Sequence, residues 1–215
     1  MDVVIGQLPR YLEGFGTTLL LLGAAGLAAL AAGTVLAAMR IGPIAALRAV
    51  SGAYTELARN TPLTLVLMFC AIVLPYLGIR LPYLLAAIVA LALYTSPFVA
   101  EALRAGVNGV PVGQAEAARS LGLGFTQTLT LVILPQAFRM SVPPLVNVFI
   151  ALTKNTSVAG GFFVIELFTV GKELANANGN AVIAVLLGVA TFYLAITVPL
   201  GLLAGWIEQS WAVRR

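Results

Sequence analysis

The sequence predicts an all-α, polytopic membrane protein with five transmembrane helices. Three observations carry that reading. First, 60% of the 215 residues are hydrophobic and only 9% charged, with a mean hydropathy of +1.02. A soluble domain of this length needs a polar shell, and charged residues typically make up about 25% of one. Second, the apolar residues fall into uninterrupted runs long enough to cross a bilayer, which takes about 20 residues at 1.5 Å each. Third, the breaks between those runs hold the glycines, prolines and charges that end helices.

The first run is free of charge from Gly14 to Met39 and gives a span near 15–38. Its GAAGLAALAAG interior is rich in small residues, which let neighbouring helix backbones approach closely. Ala29-Leu30-Ala31 mimics a signal-peptide cleavage site. The run is too long for a signal, however, and its leader (Asp2, Arg10, Glu13) lacks a basic n-region. Residues 41–60, IGPIAALRAVSGAYTELARN, have one apolar face and read as an interfacial helix or an extension of the second span. Spans two and three follow at 60–79 and 81–100, with the LGIRLP stretch, Leu77 to Pro82, as a tight hairpin between them. After a more polar insertion, 101–139, a fourth span reads over 140–170 and a fifth over 181–207. The whole of 1–215 is thus one transmembrane domain.

Five spans put the termini on opposite sides. With the N-terminus outside, the cytoplasmic segments hold Arg40, Arg48, Arg59, Arg104, Arg119, Arg139, Arg214 and Arg215, against Arg10, Arg80 and Lys172 outside. Cytoplasmic loops carry the excess of Lys and Arg. The N-terminus is therefore expected outside, and 101–139 with the C-terminus in the cytoplasm. Other classes fall away quickly. With no His and a single Cys70, the usual zinc constellations and disulfides are excluded, and no metal or cofactor is expected. The net charge of +4 is scattered between apolar runs and forms no nucleic-acid-binding patch.

The insertion is the most informative stretch: GQAEAARSLGLGFTQTLTLVILPQAFR, residues 113–139. Pro111 suits the first turn of a helix. Gln114 to Leu121 reads as a short helix with Glu116 and Arg119 at i,i+3. Gly122 stands where a left-handed residue would end it, and a second helix begins near Thr126 and runs toward Pro135. The alanines at 115, 117 and 118 leave a slim surface suited to a groove in another protein. On residue physics alone an ordinary loop helix explains the stretch equally well.

The string EAARSLGLGF…ILPQAFR, however, resembles the EAA motif of ABC-importer permeases. Glu116, Ala117, Ala118, Gly122, Ile133, Leu134 and Pro135 fill its pattern without a gap. RNTPLTLV (59–66) is similar to the opening of span two in polar amino-acid permeases, and ALTKNTSVA (151–159) to that family's K-x-T-S signature. With LYTSPFVAEALRAGVNGV (93–110), the combination most resembles the permeases of actinobacterial glutamate importers. The resemblance implies a type I ABC-importer permease in a bacterial plasma membrane. Its coupling loop (Glu116, Ala117, Ala118, Arg119, Gly122, Pro135) would dock on a dimer of separate ATPase subunits. A second permease, a paralogue rather than an identical chain, would complete the pathway, and an extracytoplasmic binding protein would deliver the substrate. The chain itself would catalyse nothing. No P-loop contradicts this: Lys172 follows Gly171, but Glu166 and Glu173 occupy the positions of the first glycine and the hydroxyl.

Intramembrane ionisable residues suggest function by default. Lys154 lies about 22 Å along an ideal helix from Arg139 and is followed by Asn155, Thr156, Ser157 and Gly160-Gly161. Such a run can unwind a helix beside a cavity. Two readings stand. In one, Lys154, Asn155, Thr156, Ser157 and Asn147 line the substrate pathway, and Glu166 meets the substrate ammonium group. In the other, Lys154 pairs with a carboxylate or with carbonyls at a helix interface. Glu101 and Arg104 are expected to pair locally. The rival to the importer is an autonomous channel or secondary transporter with Lys154 and Glu166 as pathway charges.

Overall fold

The computed structural model describes residues 2–211, and among these every regular element is helical. The Arg214-Arg215 tail used in the charge count lies outside the described residues. A short helix, α1 (Asp2–Gly6), leads into α2 (Leu8–Ile41), whose 34 residues run about 51 Å. α3 is Ala45–Asn60, α4 Leu63–Tyr76, α5 Tyr83–Asn108 and α6 Val112–Ser120. α7 (Phe125–Phe162) is followed by α8 (Leu167–Ala177) and α9 (Val182–Trp211).

α2, α5, α7 and α9 are each long and apolar enough to cross a membrane. The fifth crossing is composite. The expected span 60–79 is a helix only over Leu63–Tyr76, about 20 Å long, and it meets α3 at a bend of 101°. Pro62 causes the break. It supplies no N–H and forces Thr61 out of the helical region, to φ −94 and ψ 132. The 41–60 segment is therefore not a collinear extension of span two. α3 is tied to its neighbours by Ser51 Oγ, which donates to Leu36 O at 2.8 Å, and by Tyr54, whose hydroxyl donates to Leu93 O at 2.9 Å. That carbonyl is free because Pro97, four residues on, has no N–H to offer it.

The fourth span differs most from its expected limits of 140–170. α7 starts at Phe125, so Pro135 lies inside the membrane-length helix rather than ending a loop helix. The proline is tolerated because the turn before it is widened: Leu134 N–H bonds to Leu129 O, five residues back. That i→i+5 turn relieves the clash between a proline ring and the carbonyl four residues earlier. Pro75 in α4 uses the same device, with Leu74 N–H bonded to Phe69 O. At its far end α7 is α-helical only to Asn155, then tightens to a 3₁₀ segment over Thr156–Phe162. Phe163 takes a left-handed conformation (φ 67), and α8 restarts at Leu167.

The core is built from α2, α4, α5 and α7: Leu21, Ala25, Leu67, Ala87, Ala90, Leu91 and Leu152 are all buried. Lipid tails are as apolar as leucine, so close approach of backbones rather than burial must hold such helices together. Gly33 shows how close. A Cβ there would stand 2.6 Å from Val99 Cβ and 2.7 Å from Ser96 O of α5. A second cluster joins α2, α8 and α9 through Tyr11, Leu167, Val170, Leu174, Val185 and Val189. There the Tyr11 hydroxyl donates to Val185 O at 3.0 Å.

Candidate functional site

Two regions hold the residues singled out by the sequence. At one end of the molecule, α6 packs back on the widened turn of α7. Pro111, in extended conformation (φ −58, ψ 136), precedes its first residue. Gly122, at φ +84, closes it. Gly122 N–H bonds to Arg119 O at 2.9 Å and Leu123 N–H to Ala118 O at 3.2 Å, the paired bonds of a Schellman cap. Ala118 is buried beneath the helix, while Glu116, Ala117, Arg119, Gly122 and Pro135 are exposed. Of the three alanines, only Ala117 thus offers its methyl fully to a partner. Glu116 and Arg119 share a face but form no ion pair; Arg119 Nε instead reaches Ala115 O at 3.3 Å. The loop also presents apolar side chains that patterning did not single out, Leu121 at 83% exposure and Phe125 at 82%.

The second region is a cavity of about 410 Å³ between α5 and α7, lined by Tyr94, Thr95, Phe98, Asn147, Val148, Ala151, Leu152 and Asn155. That volume lies in the range of small-molecule pockets. Asn147, Ala151 and Lys154 are exposed at i, i+4 and i+7 spacing, one stripe of the helix. Lys154 stands two residues beyond Leu152, which packs into the core with residues of α2 and α5. Among the described residues the ion pairs are Arg10–Glu173 and Arg104–Glu101, and Lys154 has no carboxylate partner. Its one structural asset is a place in the last turn of the α-helical part of α7, where a cation complements the helix dipole.

Thr95 is the residue that sequence reading missed. It is 3% exposed, and its hydroxyl has no hydrogen-bond partner although it sits in the cavity wall. Buried polar groups are nearly always paired, so this hydroxyl stands out in the cavity wall. Its only sequence signal was the LYTSPF string, in which Pro97 loosens the helix around it. Arg59 lies over Phe98 of the cavity wall, its guanidinium 5.7 Å from the centre of the ring. Among the described residues no carboxylate lines the cavity.

The other polar residues of the KNTS run turn inward on the chain. Thr156 Oγ1 donates to Thr153 O and Ser157 Oγ to Lys154 O, both at 2.7 Å, satisfying carbonyls where α7 tightens. Glu166 is fully buried and caps α8. It accepts from Phe168 N at 2.7 Å, Thr169 N at 2.8 Å, Thr169 Oγ1 at 2.9 Å and the Tyr193 hydroxyl at 3.0 Å. The structure therefore gathers Asn147 and Asn155 in one cavity with Lys154 on the adjoining stripe. Thr156 and Glu166 are buried away from it, and Ser157 is spent on the Lys154 carbonyl.

The sequence model of the binding-protein-dependent transport system inner membrane component matches residues 25–213. The chain belongs to this family. Among curated relatives of the permease, the glutamate transport system permease protein GluC of Corynebacterium efficiens is 41% identical over 96% of each chain. The probable glutamine ABC transporter permease protein GlnM of Bacillus subtilis is 37% identical over 97% of this chain and 96% of its own. Among solved structures, the crystal structure of an amino acid ABC transporter with histidines superposes with a TM-score of 0.88 at 29% identity, covering 96% of each chain. An inward-facing MetNI methionine ABC transporter, at 22% identity and a TM-score of 0.78, shares the fold over 95% of this chain and 97% of its own. The permease is thus a multi-pass inner membrane protein of the type I ABC-importer kind, serving amino acids. Family membership sets aside the autonomous-transporter reading.

Proposed function

We propose that this permease forms half of the transmembrane pathway of a glutamate importer, with the α5–α7 cavity as its substrate-facing wall. The observation that carries the reading is the composition of that wall. It has two amides (Asn147 and Asn155), an unpartnered hydroxyl (Thr95), a cation on the adjoining stripe (Lys154), a second cation over Phe98 (Arg59) and, among the described residues, no carboxylate. Such a lining favours an anionic substrate that needs hydrogen bonds. An unpaired ammonium at membrane depth is costly facing lipid and suits a water-filled path. The 41% identity to GluC points to the same substrate.

Energy would come from a separate ATPase pair seated on the Val112–Ser120 helix, with Glu116, Ala117, Arg119 and the exposed Leu121 and Phe125 as its contact surface. The absence of a P-loop from this sequence agrees with that division. The excess of arginine at the α6 end supports a cytoplasmic loop with the N-terminus outside. A binding protein would deliver glutamate from outside, and a paralogous permease would supply the other half of the pathway.

The test is reconstitution of the native complex in liposomes with its binding protein and ATP, comparing uptake of glutamate, glutamine and arginine. Saturable, ATP-dependent glutamate uptake that falls in Lys154→Met and survives in Lys154→Arg is the expected result. Uptake of arginine in preference to glutamate would overturn the substrate assignment. Unchanged coupling in Glu116→Lys would overturn the docking role of the loop.

A further inference from the structure

α7 and α9 meet a second time at the end of the bundle that carries α6. Between them lies a pocket of about 180 Å³ lined by Arg139, Met140, Pro143, Ile207, Glu208 and Trp211. It shares no residue with the α5–α7 cavity. Its two charges mark where the apolar parts of the helices end. No charged residue follows Arg139 until Lys154, and none precedes Glu208 back to Glu173. The two tryptophans of the chain, Trp206 and Trp211, stand on either side of Glu208 and are exposed. Tryptophan gathers at the headgroup level of a bilayer, so the pocket opens at that level.

Arg139 and Glu208 are both exposed and face the same pocket, yet they do not bond each other. The ion pairs among the described residues are Arg10–Glu173 and Arg104–Glu101. The site thus holds a cation and an anion apart above an apolar floor, in which Pro143 and Ile207 are buried. Leu203 lies one turn from Ile207 toward the membrane interior, and its exposed side chain extends the apolar surface that way.

We propose that this pocket holds one phospholipid with an ethanolamine headgroup, its phosphate on Arg139 and its ammonium on Glu208. Charge complementarity selects that headgroup. A guanidinium presents a fork of donors matched to phosphate oxygens, so Arg139 alone would accept any phospholipid. An anionic lipid, however, would set its charge beside the Glu208 carboxylate. A choline headgroup has no N–H to donate to Glu208. Phosphoethanolamine carries both charges on one short chain and satisfies both side chains at once. The volume is smaller than the ~300–1,000 Å³ of sites that enclose a whole ligand. It suits a headgroup whose tails stay in the bilayer, against Met140 and Leu203. The lipid ties α7 to α9 where both leave the membrane.

The test is native mass spectrometry of the importer purified into nanodiscs of equal parts dioleoyl phosphatidylethanolamine, phosphatidylglycerol and phosphatidylcholine, counting the lipids that stay bound on release. Phosphatidylethanolamine is expected in excess over the other two. Arg139→Gln should lower its retention about fivefold, the worth of one basic side chain at a lipid surface, and Arg139→Lys should keep most of it. Glu208→Gln should remove the preference for phosphatidylethanolamine over phosphatidylglycerol. Both side chains are exposed, so the variants should assemble, and the intact mass in the same spectra checks that they do. Equal retention of the three lipids by the native complex, or a preference unmoved by either glutamine variant, would overturn the site. A native preference for phosphatidylglycerol would overturn the headgroup assignment. Loss of a protein subunit from the Glu208→Gln complex with lipid retention unchanged would assign the pocket to a protein contact and overturn the proposal as well.

Discussion

Thr95→Val is the most discriminating substitution in this permease, because it should move stability and transport in opposite directions. The Thr95 hydroxyl is buried and unpartnered. Burying such a group without a hydrogen bond costs about 1–3 kcal/mol on mutational scales. Valine has nearly the same shape, so the exchange removes that cost without opening a cavity. The permease purified in detergent should therefore gain on the order of 1 kcal/mol in resistance to unfolding. If the hydroxyl bonds to bound substrate, the same change removes one bond worth about 0.5–1.5 kcal/mol, or roughly a twofold to tenfold rise in KM for ATP-driven uptake. Thermal unfolding of the permease and initial-rate uptake by the reconstituted complex measure the two halves. Destabilisation by valine would show that the hydroxyl already has a partner. An unchanged KM would refute its place in the substrate's path.

Four further outcomes follow from the geometry. Gly33→Ala should destabilise the α2–α5 contact by about 1–3 kcal/mol, since its methyl would meet Ser96 O and Val99. Gly23→Ala, with open space around it, should be neutral, and paired unfolding curves compare them. Gly122→Ala should cost about 1–2 kcal/mol locally, because its φ of +84 crowds any Cβ; lowered uptake per ATP hydrolysed would register the disturbed loop. Tyr54→Phe leaves the Leu93 carbonyl to Ser96 Oγ alone, at 3.1 Å, and should cost about 1 kcal/mol of stability. Lys154→Met should lower glutamate uptake on the order of tenfold or more, as loss of a charged hydrogen bond implies, and leave binding of the ATPase unaltered.

The sequence made some features legible because their cause is local. Gly122 ends α6 because a left-handed residue is needed there, and the spacing from Pro111 already said so. The hairpin at Leu77–Pro82 was legible for the same reason, through its glycine and proline. Helix limits set by tertiary compensation were hidden. Pro135 reads as a helix end, yet a widened turn lets α7 pass through it. Pro97 falls inside the expected span 81–100, but only the fold shows that Tyr54 from another helix takes up the carbonyl it orphans. Thr95 was invisible for a related reason: nothing in an LYTSPF string tells which hydroxyl lacks a partner until α7 is laid beside it.

The polar residues within the spans also divide once their partners are counted. Glu166 and Lys154 look alike in sequence, each a single charge in an apolar run. In the fold, Glu166 has both oxygens occupied by the N-terminus of α8 and by Tyr193, which stabilises a negative charge without any cation. A group so fully satisfied has little left to offer a passing solute. Among the described residues Lys154 has no carboxylate partner, and its stripe continues through Ala151 to Asn147, the wall of the cavity. An unsatisfied charge persists at that depth only where something outside the chain meets it, and water, substrate or the companion permease are the candidates that the stripe can face. A carboxylate of the companion permease would make Lys154→Met a defect of assembly, whereas a pathway role makes it a defect of uptake in an assembled complex. Purifying the Lys154→Met complex before assaying it therefore decides between them.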